Sequence, residues 1–381
     1  MKTEQSIAIV GGSLTGPALA LLLRQAGFED VHVYEAMPEA TPQAGGVIGL
    51  DHHSLGVLDT IGVPQEEIVP FPSERVVSIK VADGHEAGRV RTIYPGRNTS
   101  WTLAHQALAD RLPTGTLHAG KRVVALDDNS GPIELQFADG DHVTADLVAF
   151  ADGRRSTGRK LIDPSRALHY AGYVAWRGQT PWYPPGIRDF TRVEPAGTQF
   201  TMFPIMRPDG SIATDWTFYL DLPTEEFRDL IGAAPTARTF VLPHQITPEA
   251  RRLVLNQAEH LLPPEDAHIV ADSTTWMAAP IVDIDPPEKM VHRVGRAHAV
   301  LLGDALAPVR PHTARGANNG IEQAAGLVTA LHQHRRYGAD LAAALSGWEQ
   351  RSLPGVEHWI RLGPKLGRAL GLGMAQERQR A

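Results

Sequence analysis

Val10-Gly11-Gly12-Ser13-Leu14-Thr15-Gly16 is the stretch that decides the fold. The short apolar run Ser6–Val10 leading into it has the composition of a buried strand, and Pro17–Ala26 beyond it is apolar and helix-forming up to Gly27. Val31–Tyr34 is a second strand, ending at Glu35. Strand, glycine turn, helix and strand make a βαβ unit, the setting in which such a turn binds a dinucleotide. Gly11 permits the tight turn, and Gly16 lets helix and sheet pack closely. The amides of Gly12, Ser13, Leu14 and Thr15 at the helix start can hold a pyrophosphate. Ser13 stands where the fingerprint has its middle glycine. Glu35, nineteen residues after Gly16, is placed to accept hydrogen bonds from a ribose. The unit alone fits NAD or FAD, because both carry an AMP half.

Two later segments extend it. Leu147–Ala151 is an apolar strand running into Asp152-Gly153-Arg154, and Val300-Leu301-Leu302 runs into Gly303-Asp304-Ala305. The second continues through Pro308, Pro311 and Gly316-Ala317-Asn318 to Glu322-Gln323-Ala324. Either alone is an ordinary turn after a strand, but the ordered trio is specific. Between them lie β signals. Val76–Ala82 with Arg89–Tyr94, and Ile133–Phe137 with His142–Asp146, read as hairpins about Asp83-Gly84 and Asp139-Gly140. Ala171–Gln179, Gln199–Met206 and Ile212–Leu220 are β-rich runs with aromatics. Gly316 to about His332 has helical spacing, and Leu341–Leu362 is a second helical pattern, expected to break at Pro354-Gly355. The expected fold is α/β. A discontinuous Rossmann-like domain (1–72, 102–169 and 290–340) is interleaved with a largely antiparallel β-sheet domain (73–101 and 170–289), and 341–381 forms a C-terminal helical segment.

At these residues the sequence resembles the single-component flavoprotein aromatic monooxygenases of the para-hydroxybenzoate hydroxylase fold. Within them it is most similar to the pyridine-ring hydroxylases. The runs Tyr170–Gly178 and Gly303–His312 are the most specific matches. The resemblance implies FAD, with its pyrophosphate on the Gly11–Gly16 turn and its adenosine against Glu35 and Ala36. Gly46, Val47, His105 and Val124 complete that contact set. Asp304 would face the ribityl or pyrophosphate region. Pro311 with Gly316, Ala317 and Asn318 would border the isoalloxazine, and Asp152 would serve FAD and the approach of NAD(P)H. The chain departs from the family at Phe150, His105, Ala307 and Gln323, and Ile48 stands where the pyridine hydroxylases carry a histidine.

The implied chemistry is reduction of FAD by NADH or NADPH, reaction with O₂, and hydroxylation of an electron-rich aromatic or N-heteroaromatic small molecule through a flavin C4a-hydroperoxide. Strand alternation puts Gln199, Thr201, Phe203 and Ile205 on one face, with Gln199 and Phe203 expected to meet substrate. Tyr219 lies opposite Trp216, Phe218 and Leu220. His312, directly after Pro311, is the candidate base or hydrogen-bond partner. A flavoprotein oxidase, a halogenase-like tailoring enzyme and a non-enzymatic FAD-binding protein are the alternatives. The Trp-x-Trp-x-Ile-Pro signature of halogenases is absent from the sequence.

Composition narrows the class further. Thirty-six Lys+Arg against 43 Asp+Glu give a formal charge of −7, which argues against a nucleic-acid or anionic-membrane binder. There is no cysteine, which excludes disulfides, thiolate metal sites and dithiol relays and fits a cytoplasmic protein. Ser6–Leu23 is uncharged, but Gly11-Gly12-Ser13 interrupts it as a turn rather than a signal or membrane helix. The 17 histidines show no metal-ligand spacing, and no metal is expected. No Gly-x-Ser-x-Gly elbow or Walker loop appears, and a monomer or homodimer is expected.

Overall fold

Ile7–Val10 (β1) is buried along its whole length, because it is a parallel strand flanked on both edges and covered on both faces. It pairs in parallel with Val31–Tyr34 (β2) on one side and with Leu147–Phe150 on the other. The computed structural model describes residues 5–38, 45–128, 131–184, 188–207, 209–237 and 239–374. In the six-stranded sheet the order is Val291–Val294, Ala297–Leu301, Leu147–Phe150, β1, β2 and Leu117–His118. Val10 aligns with Phe150, and Phe150 with Leu301, so three parallel strands end on one edge. Gly11, Ala151-Asp152 and Leu302-Gly303-Asp304 follow directly. Parallel pairing thus gathers three motifs that are far apart in sequence at the carboxyl edge of a sheet, where α/β folds bind ligands.

Helices cover this sheet. Thr15–Gln25 (α1) buries Ala18, Leu19, Ala20 and Leu23, and packs against the helix Gly316–Tyr337. Gly320 permits that approach, since a Cβ there would stand 2.1 Å from Thr15 Oγ1.

A seven-stranded sheet runs in the order Thr275–Ile284, Leu168–Thr180, Ile212–Asp221, Gln199–Met206, Phe190–Glu194, Arg75–Ala82 and His85–Ile93. Its pairs are antiparallel except Phe190–Glu194 with Arg75–Ala82. Strand alternation gives it two unlike faces. Trp176, Phe200, Trp216 and Phe218 pack with Val254 and Ile269, from the helices Pro248–Leu261 and Pro264–Ala271, into an apolar core. Tyr173, Ala175, Tyr219 and Ala279 look the other way. The strands Val47–Asp51 and Gly96–Ser100 pair as a two-stranded link.

One expectation is corrected. The last helix does not break at Pro354-Gly355 but runs from Leu341 to Ala369 through Pro354 and Pro364. Each proline removes one N–H donor. The buried stripe of Leu345, Trp348, Val356 and Ile360 continues across Pro354, and tertiary packing of that stripe outweighs the lost bond. Residues 1–4 and 375–381 of the expected segments lie outside the described residues.

Candidate active site

The glycine turn has the geometry its sequence requires. Gly11 has φ +113°, and a Cβ there would stand 2.4 Å from Ala151 O. A Cβ on Gly16 would stand 1.9 Å from Gly11 O. At the N-terminus of α1 the cap residue Leu14 offers no side-chain acceptor, so the leading amides are left for a ligand. Glu35 accepts from Gly12 N at 2.7 Å and from Met37 N at 2.8 Å, which fixes its carboxylate beside the turn, with Ala36 next to it. Trp101 Nε1 donates to Ser13 Oγ at 3.2 Å. His105 stacks on Trp101 with ring centroids 4.5 Å apart, and its Nε2 lies 3.1 Å from Gly12 O. Burial holds the His105 pKa below its ordinary value, so the neutral ring donates from Nε2 to that carbonyl. Val124 is 49% exposed and lies at an irregularity in the pairing of its strand with Ile133–Phe137.

The second motif turns out differently. Asp152 accepts from Ser156 Oγ at 2.5 Å, Thr157 N at 2.6 Å and Gly158 N at 3.1 Å. Its carboxylate therefore caps the helix Thr157–Ile162. Burial pushes its pKa up, and these donors oppose the shift. Arg154 from the same loop reaches the cavity instead and donates to Pro280 O at 2.9 Å and to Thr239 O.

The third motif supplies the rest of the frame. Asp304 lines the cavity; burial raises its pKa, while the Arg154 and Arg159 guanidiniums pull it down. Gln323 accepts from Gly303 N at 2.7 Å and holds the Gly-Asp turn. Asn318 is a strut: it donates to Gly49 O at 2.9 Å and Ala314 O at 2.7 Å, and it accepts from Asp51 N at 2.9 Å. The helix Gly316–Tyr337 lacks a side-chain cap at Arg315, so the Gly316 and Ala317 amides remain open toward the cavity.

That cavity has a volume of about 510 Å³ and lies between the two sheets. Val47, Ile48, Gly49, Asp304, Pro311, Gly316 and Ala317 wall one side; Gln199, Thr201, Thr217 and Tyr219 wall the other. Gln199 Nε2 donates to Glu194 Oε1 at 3.2 Å. Burial pushes the Tyr219 hydroxyl up to about 12, so it enters the cavity as a neutral donor.

His312 lines the cavity 4.5 Å from the Tyr219 ring, centroid to centroid. Its Nε2 lies 3.1 Å from Tyr173 OH, and Arg310 covers the Tyr173 ring at 5.4 Å. Arg310 is held by Asp283 through bonds of 2.7 and 2.5 Å. Burial, with the positive charges of Arg310 and Arg192, pushes the His312 pKa down to about 3. Of the two roles expected for His312, base or hydrogen-bond partner, this setting favours the second, with a neutral ring bonded to Tyr173. Phe203 is also corrected. It is 1% exposed and packs with Ile205, Ala213, Phe71 and Phe190, because the cavity ends at Thr201 and apolar side chains close over the strand beyond it.

The sequence reading missed the charged groups. Asp215, fully buried, accepts from Val47 N at 3.0 Å and faces Arg177 Nη2 at 3.9 Å. Gly46 leaves room for this pair, since a Cβ there would stand 2.1 Å from Arg177 Nη2. Arg177 sits in the run Tyr170–Gly178 next to the core residue Trp176, and alternation around that tryptophan was the available signal.

These features fit FAD: an open helix start for the pyrophosphate, Glu35 for the ribose, and a second open helix start beside a cavity large enough for a ring system. The comparisons agree. Residues 4–174 match the FAD binding domain family. The chain is 28% identical to the 2,6-dihydroxypyridine 3-monooxygenase of Paenarthrobacter nicotinovorans, over 92% of this chain and 88% of that one. It is 26% identical to the 6-hydroxynicotinate 3-monooxygenase of Bordetella bronchiseptica, over 87% and 84%. The structure of 2,6-dihydroxypyridine-3-hydroxylase from Arthrobacter nicotinovorans superposes with a TM-score of 0.84 at 26% identity, covering 97% of this chain and 93% of that one.

Fold and site together define an FAD-dependent oxidoreductase. The chain carries an FAD binding domain and is similar over most of its length to FAD-dependent aromatic and heteroaromatic monooxygenases. The relatives are monooxygenases by name, which counts against the oxidase, halogenase-like and non-enzymatic alternatives. Among the described residues no helix is long and apolar enough to cross a membrane.

Proposed function

We propose that this chain hydroxylates a small electron-rich aromatic or N-heteroaromatic compound in the cavity between its sheets, with NADH or NADPH as reductant and O₂ as oxygen donor. One observation carries the reading: a single cavity is walled by the Asp304, Pro311 and Gly316 frame on one side and by Gln199, Thr201, Tyr219 and His312 on the other. Bound FAD would supply hydride acceptance and oxygen activation. The chain's own residues hold, orient and shield. The Ser13–Thr15 amides and Asp304 hold the cofactor, and Glu35, braced by Gly12 N, takes its ribose. Val47, Ile48 and Leu366 keep water from the reacting centre, where it would divert activated oxygen to H₂O₂. Gln199 and Tyr219 orient the substrate ring by hydrogen bonds. His312, neutral, orients by its ring nitrogens rather than by charge. The relatives named above act on hydroxylated pyridine rings, which puts small hydroxylated N-heteroaromatics first among the substrates to try.

We further assign 1–72, 102–169 and 290–340 to FAD binding and 73–101 with 170–289 to substrate, in a cytoplasmic monomer or homodimer. The test begins with colour. Purified protein should be yellow, with flavin bands near ~370 and ~450 nm. NAD(P)H oxidation should then be screened against hydroxypyridines and phenols, with product and H₂O₂ measured separately. Protein that takes up no FAD, or flavoprotein whose NAD(P)H oxidation never yields a hydroxylated product across that screen, would overturn the proposal.

A further inference from the structure

The cavity holds a cation that none of the described residues neutralises. Arg192, half-buried, lines it from the strand Phe190–Glu194, in register with Thr201 on the neighbouring strand. The other arginines of the lining are engaged. Arg154 donates to two backbone carbonyls, Arg177 faces Asp215, and Arg315 pairs with Asp51 and, at 2.5 Å, with Glu322. Glu194, two residues along and on the same face, is taken by Lys80 at 2.5 Å and Gln199 at 3.2 Å. Among the described residues no carboxylate or carbonyl pairs with Arg192. Its guanidinium rests over the Phe190 ring at 5.8 Å. Its charge reaches both Tyr219 and His312, lowering the pKa of each, which places it near the two rings that wall the cavity. A part-buried guanidinium without a counter-charge makes its pocket a site for an anion.

We propose that Arg192 is a specificity-determining residue that seats a planar oxyanion on the substrate ring, so that the cavity prefers anionic aromatics to their neutral isosteres. This rests on the hydroxylase reading above. The oxyanion is a carboxylate or an ionised ring hydroxyl, and both match the fork of donors a guanidinium presents. With the anion seated, the substrate supplies the negative charge that Arg192 lacks among the described residues. The ring is then held between Tyr219 and the Pro311–Ala317 wall.

The test titrates FAD-loaded protein with nicotinate, with nicotinamide, and with 4-cyanophenol below and above its own ionisation. Binding is read from the shift in flavin absorbance and from calorimetric heat. Nicotinate should bind roughly 10-fold or more tightly than nicotinamide, or 4-cyanophenol should tighten by roughly that factor on ionising. The first result assigns a carboxylate, the second a ring oxygen. Arg192→Gln should erase the charge preference and Arg192→Lys should keep part of it, both with FAD bound and an unaltered melting temperature. Should Arg192→Gln fail to fold, loss of bidentate geometry in Arg192→Lys is read from the same titrations. Equal binding of acid and amide together with indifference to ionisation, a charge preference that survives in both variants, or no anion bound at millimolar concentration would overturn the proposal. A chain that takes up no FAD would break the flavoprotein reading instead, and the spectrum shows this before any titration begins.

Discussion

The two walls of the cavity are built in different ways. The cofactor wall is mostly backbone: the Gly11–Gly16 turn, the open amides of two helix starts, and glycines where a Cβ would meet main chain. The substrate wall is side chains, and its character comes from which charge finds a partner: Asp215 beside Arg177, Asp283 on Arg310, Lys80 on Glu194, and nothing on Arg192 among the described residues. A wall of backbone is specified by a short stretch of sequence. A wall of charges is specified by strands that meet only in the fold.

The backbone wall is most sensitive at Gly11. Gly11→Val places a branched side chain at φ +113° against Ala151 O. Strain and collision of ~3 kcal/mol should cost FAD affinity roughly 100-fold or more. Flavin content after gel filtration and a fluorescence titration measure it, and a fully yellow variant would mean that the turn does not carry the cofactor.

Next in size is Glu35→Ala, which removes a charged acceptor from Gly12 N and from the ribose. A fall in FAD affinity of roughly 10- to 100-fold is expected by equilibrium titration. An unchanged value would confine Glu35 to a structural role.

On the substrate wall effects should be smaller and should leave the flavin spectrum alone. His312→Asn should lower hydroxylation roughly 10-fold and raise the H₂O₂ released per NAD(P)H oxidised, as expected for a lost orienting group. Stability offers a second readout. The folded chain keeps His312 neutral down to about 3, whereas the unfolded chain binds the proton near ~6.5. The unfolded state therefore binds more protons below ~6.5. The contribution is complete above that pH and is lost as pH falls from there toward about 3. Chemical denaturation across this window should show a shallower acid loss in His312→Asn; identical slopes would mean the imidazole is not held neutral.

The smallest effect belongs to Phe203→Leu. Phe203 sits among Phe71, Phe190 and Ile205 and not on the cavity. About 1 kcal/mol of stability should be lost in urea, with the apparent affinity for substrate unchanged. A raised KM would return Phe203 to the substrate wall.

The legible parts of the site share a property. Gly11, Gly16, Glu35 and Asp304 lie within a few residues of a strand end, and once the strands are placed their positions follow. Gln199 and Tyr219 were legible for a similar reason, because period-2 alternation fixes which face a residue takes. The same rule misplaced Phe203, since alternation gives the face and not where the cavity stops along it. Asp152 also misled, because a carboxylate after a strand serves a ligand or a helix cap equally well, and only the approach of Ser156, Thr157 and Gly158 decides. Pro354 suggested a break because a local donor is lost, while the packing of Trp348 and Val356 that carries the helix through is not local.

The sequence by itself determined the parallel sheet, the glycine turn that opens the first helix and the order of three motifs at one sheet edge. Each depends on local periodicity or on a backbone conformation that only certain residues adopt. The tertiary structure alone decided that His312 is neutral, that Asp152 is a cap and that Arg192 faces the cavity without a counter-charge among the described residues. A side chain's exposure is set by elements brought from distant parts of the chain, and for His312 that burial shifts its ionisation more than the charge of Arg310 beside it in the chain.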